Sequence, residues 1–155
     1  MFCLTSASKI LNTFFEQANG SRLLEEVGRP VGVLITTRDV ASITKATSPP
    51  VPAFQSPFLG ASVDEIRQFA RDHLGGGRIS DANIVLLDQK TVEDSSTCLL
   101  ITSKDWPQVP GDFRTVRSDF ASSLATLNNI EFGCAGEEYL DDSMAQDGVV
   151  RLTDS

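Results

Sequence analysis

Two short apolar runs constrain this chain more than any other feature. Ala82-Asn83-Ile84-Val85-Leu86-Leu87 and Thr97-Cys98-Leu99-Leu100-Ile101-Thr102 are nearly unbroken rather than alternating. A strand with one wet face alternates apolar and polar residues, so runs of this kind belong to a sheet covered on both faces. Val31-Gly32-Val33-Leu34-Ile35-Thr36-Thr37 reads as a further buried strand. Phe113-Arg114-Thr115-Val116-Arg117 reads as a fourth, alternating and nearer an edge, and Val149-Val150-Arg151-Leu152 as a closing strand.

The segments between these runs carry helical spacing. Ile10, Leu11, Phe14, Phe15 and Ala18 form one stripe, with Ser6 as a start cap and Gly20 as a stop. Leu23, Leu24 and Val27 predict a short helical turn before Gly28 and Pro30. Ser62-Val63-Asp64-Glu65 is a capping box in which the serine hydroxyl takes a free amide and the glutamate reaches back. Val63, Ile66, Phe69, Ala70 and Leu74 follow as its apolar stripe, and Gly75-Gly76-Gly77 stops the helix. A triple glycine that follows a helix does not aim amides at a phosphate, so it is read as a stop. A helix from Asp119 buries Phe120, Leu124 and Leu127, and Gly136 to Ala145 forms an acidic amphipathic helix. Strands alternating with helices predict an α/β fold, a small three-layer sandwich whose mostly parallel sheet has about 4–5 strands.

A chain of 155 residues fits one domain. Chains of this length bury roughly two-thirds of their unfolded surface without help from disulfides or metals, so residues 1–155 are expected to form a single α/β domain. Residues 41–60 stand apart: Pro49, Pro50, Pro52 and Pro57, with many Ser and Thr, exclude regular structure. Long loops inside compact domains are commonly lids, binding segments or disordered inserts. Phe54 and Phe58 in this loop either pin it to the core or line a pocket.

Charge and composition narrow the function classes. Twenty-one acidic residues against 13 basic ones give a formal charge of −8, which argues against nucleic acid as partner, since phosphate binding needs a basic stripe. Three scattered cysteines and a single histidine exclude a structural zinc site. The cysteines read as reduced thiols and the expected location is cytoplasmic. No apolar run approaches the roughly 20 residues that span a bilayer, and the first residues lack a basic segment before an apolar one, so neither a membrane nor a secretory signal is expected.

Several stretches together resemble a family, the domain of unknown function numbered 6924. The residues that carry the resemblance are Thr37-Arg38-Asp39 and Leu87-Asp88, then Leu127-Asn128-Asn129-Ile130-Glu131-Phe132. Glu137-Glu138-Tyr139-Leu140 and Asp147-Gly148-Val149-Val150-Arg151 complete it. The match spans about residues 31–152, departing at the Pro-rich loop and at Gly133-Cys134-Ala135-Gly136. The resemblance implies an α/β fold and transfers no catalytic residue.

In open, parallel α/β sheets ligands bind beyond the carboxyl ends of the strands. By that rule Arg38, Asp39, Asp88 and Lys104 converge, with Asp39 and Asp88 able to offer hard oxygen atoms to a divalent cation and Lys104 or Arg38 facing a phosphate. His73, the single imidazole, lies in the last turn of the capped helix, where helix dipole and packing account for it. Trp106 sits in a loop and is either buried or used for binding. Glu137, Glu138, Asp141 and Asp142 form an acidic helix face, solvated or docked on a basic partner.

Two function classes follow. One is an intracellular binding or regulatory module for an unknown protein or small molecule, with the acidic helix as partner face. The other is a cofactor-independent small-molecule enzyme of isomerase, cyclase or lyase type. It would have a pocket under the 41–60 loop, proton transfer by Asp39, Asp88, Arg38 or His73, and contacts from Phe54, Phe58, Lys104 and Trp106. No metal and no cofactor are implied.

Overall fold

The computed structural model describes residues 1–4, 8–28, 30–102, 113–134 and 136–152. Its centre is one five-stranded sheet, in the order β1 (Phe2–Cys3), β2 (Ile84–Leu87), β3 (Thr97–Thr102), β4 (Arg114–Asp119) and β5 (Val149–Val150). β2, β3 and β4 run antiparallel to one another in turn, whereas β1 joins β2 and β5 joins β4 in parallel. The sheet is therefore mixed, which corrects the expectation of a mostly parallel one. The physical reason is connection length. A parallel crossover takes about a dozen residues or more, and residues 88–96 are too few to make one between β2 and β3.

Among the described residues five α-helices accompany the sheet: α1 (Ser8–Asn19), α2 (Val63–Leu74), α3 (Gln89–Asp94), α4 (Phe120–Glu131) and α5 (Gly136–Ser143). All four residues of β2 are buried, as its unbroken apolar run requires. Successive side chains leave a strand on opposite sides, and β2 obeys this. Val85 and Leu87 join an apolar cluster with Leu11 and Phe14 of α1 and Leu124 and Leu127 of α4. Ile84 and Leu86 join a second cluster with Ile66, Phe69 and Ala70 of α2. Phe14 meets Phe120 edge-on at 5.3 Å between ring centres, and Phe58 meets both Phe2 and Phe69 the same way at 4.9 Å. Each such pair adds about 0.5–1.5 kcal/mol beyond the area it buries. No helix among the described residues is long and apolar enough to cross a membrane.

Helix ends follow local chemistry. The Ser62 hydroxyl accepts from the Glu65 amide at 3.2 Å, while the Ser62 amide donates to the Glu65 carboxylate at 2.7 Å. The Asp119 carboxylate caps α4 by accepting from the Ser122 amide at 2.8 Å. Ser6, the expected cap of α1, lies outside the described residues.

The expected strand at Val31–Thr37 joins no ladder, a second correction. Its backbone bonds are scattered among unlike partners: the Ile35 amide donates to the Met1 carbonyl (2.9 Å), and the Leu34 amide donates to the Thr47 hydroxyl (2.8 Å). The Gly32 carbonyl accepts from the Thr47 amide (2.9 Å). A two-residue neighbour and a hydroxyl acceptor cannot propagate a strand ladder. Phe113–Arg117 also moves from its expected place: its strand, β4, lies inside the sheet between β3 and β5.

The 41–60 loop is tied to the core along its length. Asn12 of α1 accepts from the Val51 amide (2.7 Å), and the buried Ser56 hydroxyl donates to the Cys3 carbonyl (2.5 Å). Phe58 is buried in the second apolar cluster, and Phe54 packs against the first. Both phenylalanines thus take the pinning role. At the far side of the sheet, Met144 bridges Val150 and the Arg151 amide donates to the Ser143 carbonyl (3.1 Å), so the chain closes over β5.

Candidate functional site

β2 and β4 run one way and β3 the other, so the polar residues at the strand ends fall into two groups. Asp88, Thr97 and Asp119 share one end of the sheet. Asn83, Thr102 and Arg114 share the opposite end.

At the first end, Asp88 caps α3 and pairs with Arg117 of β4. Its carboxylate accepts from the Thr91 amide at 3.1 Å and from the Thr91 hydroxyl at 3.0 Å. Partial burial opposes its ionisation, but Arg117 and the Thr91 donors overcome that and hold the carboxyl below its usual range. Arg117 also reaches the Thr91 hydroxyl (3.4 Å). Both Asp88 carboxylate oxygens are thus engaged by neighbours, and the cluster is a helix cap with its counter-ion.

The opposite end opens into a cavity of about 970 Å³, the upper part of the usual size range for small-molecule sites. Its apolar wall includes Val31, Val33, Ile43, Val85, Leu124 and Leu127. The start of β2, the second half of α4, and Ala41 and Ile43 to Ala46 of the Pro-rich loop contribute. Gly32 also lines the wall, and a Cβ there would sit tightly, 3.1 Å from the Leu124 side chain and 3.2 Å from the Phe15 ring. Phe132, just past α4, also lines the cavity and is 81% exposed.

The polar part of the lining is a connected network. The Ser80 hydroxyl donates to the Glu131 carboxylate at 3.1 Å and accepts from the Asn83 amide at 3.1 Å. The Asn83 side-chain amide donates to the same carboxylate oxygen, and its carbonyl oxygen accepts from the Thr102 hydroxyl at 2.5 Å. Glu131, at the end of α4, is thus fixed against the start of β2 and the end of β3. Asn128 lies one turn earlier on α4 and lines the same cavity. Among the charged side chains of the described lining residues, Lys45 and Arg78 are the cations and Glu131 is the acid; Met1 also lines the cavity, and burial lowers the pKa of its amino group to about 5.

The residues singled out from sequence lie elsewhere. Arg38 lays its guanidinium over Phe58 and Phe69, 4.9 and 5.6 Å from the ring centres, and donates to the Pro57 carbonyl (3.2 Å). Asp39 is exposed at the start of the single helical turn Val40–Ser42, and no polar contact joins it to Asp88 among the described residues. His73 is exposed and stacks on Phe69, 4.5 Å between ring centres. None of these, nor Phe54 or Phe58, lines the cavity. Lys104 and Trp106 lie outside the described residues. Glu137, Glu138, Asp141 and Asp142 are exposed on α5, where Asp141 pairs with Arg114 at 2.6 Å. No group of three or more His, Cys, Asp or Glu suited to a metal ion is present among the described residues.

Ser80, Asn83 and Glu131 escaped sequence reading because 48 and 51 residues separate the partners that meet. The one signal available was the short link between β2 and β3, which forces antiparallel pairing and sends their polar ends in opposite directions. In comparisons with models of protein families, with curated proteins and with solved structures, the chain matched none.

Proposed function

We propose that this protein is a small-molecule-binding module, with the cavity between α4 and the 41–46 segment as its site. The observation that carries this reading is the joint presence of a roomy apolar wall and one fixed polar network at Glu131. Ligand sites are built that way: apolar surface provides affinity, and a few held polar groups set orientation. Binding is favoured over catalysis because the described lining contains no histidine, cysteine or tyrosine, and Ser80 and Asn83 already engage the Glu131 carboxylate. Of the acid–base candidates, Asp88, Arg38 and His73 each have a local structural role, and Asp39 is exposed away from the cavity.

Kinship with family 6924 belongs to the same proposal. Leu127, Asn128, Glu131 and Phe132 of the stretch that carries the resemblance all line the cavity, so binding could account for that pattern. The two apolar clusters on alternate residues of β2 likewise support a three-layer arrangement.

Native mass spectrometry of the protein from its own source, before and after denaturation, tests the binding reading. The expected result is one small molecule per chain, lost when Ala46→Trp fills the cavity wall. A ligand-free chain whose unfolding temperature is unmoved by a broad set of apolar compounds would count decisively against it.

A further inference from the structure

We infer that the ligand is an amphipathic anion, an apolar body carrying one acidic group that sits between Lys45 and Arg78. The inference rests on the binding reading above and deepens it. Its basis is a local reversal of charge. The whole chain has 21 acids against 13 basic residues, yet the described cavity lining has two cationic side chains, Lys45 and Arg78, against the single acidic side chain of Glu131.

The partners of these charges sharpen the point. The Glu131 carboxylate is held by Ser80 and Asn83, which spread its charge into a hydrogen-bonded network. Arg114, Arg117 and Arg151 each pair with an aspartate. Lys45 and Arg78 are exposed and make no ion pair with a described residue, a state they share with Lys9, Arg22, Arg71 and Lys90, but of these six only Lys45 and Arg78 line the cavity. The excess negative charge elsewhere is screened over about 8–10 Å at ordinary ionic strength, so an arriving anion responds mainly to the two cations nearest to it. Arg78 precedes Ile79 and Lys45 lies two residues after Ile43, and both of those apolar residues line the cavity. The cations therefore flank apolar surface, the arrangement that an apolar body with a charged head requires.

The test is a fluorescence titration of the full chain with two probes. One is 1-anilinonaphthalene-8-sulfonate. The other is N-phenyl-1-naphthylamine, which has the same aromatic body without the sulfonate. At low salt the sulfonate should bind about tenfold more tightly, the combined effect of two partly exposed ion pairs. Lys45→Gln with Arg78→Gln should remove that advantage and leave the neutral probe unchanged. Both residues are exposed, so the fold should tolerate the pair of substitutions. Equal affinity for the two probes, or an advantage that survives the double substitution, overturns the inference while leaving the cavity reading standing. If neither probe binds, or if a folded Ala46→Trp variant binds both as before, the cavity reading itself falls.

Discussion

The two ends of the sheet use similar side chains to different effect. Where β2 and β4 finish, Asp88, Thr91 and Arg117 close on one another, and Asp119 closes on the first turn of α4. Where β2 starts and β3 finishes, Ser80, Asn83, Thr102 and Glu131 also bond to one another, but beside about 970 Å³ of space. Acids and hydroxyls are thus no guide to function by themselves. What separates the ends is whether the network fills its surroundings or borders a void.

That contrast can be broken by substitution, and the largest effect is expected at the closed end. Asp88→Ala removes a helix cap and strands Arg117, and should cost about 2–3 kcal/mol of stability in urea unfolding, with probe binding intact. At the open end, Asn83→Ala should cost about 1–2 kcal/mol, because it leaves Thr102 and Glu131 short of a partner. Unlike Asp88→Ala, it should also weaken binding of the neutral naphthylamine probe. If both variants lose stability and neither alters binding, the two ends are alike and the distinction drawn here fails.

Acid titration sharpens the same comparison. The Asp88 carboxyl is lowered in the folded chain, so its contribution is present above its unfolded pKa of about 3.9 and is lost as pH falls below that value. Asp88→Asn should therefore flatten the decline of stability below about pH 4. Thiol labelling gives a discrete readout: Cys134 is partly exposed, whereas Cys3 and Cys98 are buried and burial pushes the Cys98 thiol up. One thiol should react in the native protein and all three after unfolding. The smallest effect is expected at His73. Its stacking on Phe69 is at the surface, and His73→Gln should change stability by about 0.5 kcal/mol or less, with no change in binding.

What the sequence disclosed follows from the range of the interactions involved. The capping box at Ser62 and Glu65, the start of α4 at Asp119, and the unbroken runs of β2 and β3 are local patterns, and each has a direct structural counterpart. Asp88 was legible as a polar residue at a strand end, but its engagement by Arg117, 29 residues away, was not. β1 and α3 were missed because two and six residues carry too little periodicity. Val31–Thr37 has the composition of a strand, yet its ladder depends on a neighbour that is only two residues long. The open site was the least legible, since Glu131 meets Ser80 and Asn83 only once α4 has packed on the sheet.

The two-residue edge strands have a consequence for the protein's behaviour in a crowded solution. An exposed strand edge is a template on which another chain can add, and long flat edges seed aggregates. Here Met1 beside β1 is engaged by Val33 and Ile35, and Val150 of β5 is bridged by Met144. The chain has folded its own irregular segments over both flanks, leaving little backbone for a second molecule to extend. Concentrated samples should resist fibril growth until those flanking segments are peeled away.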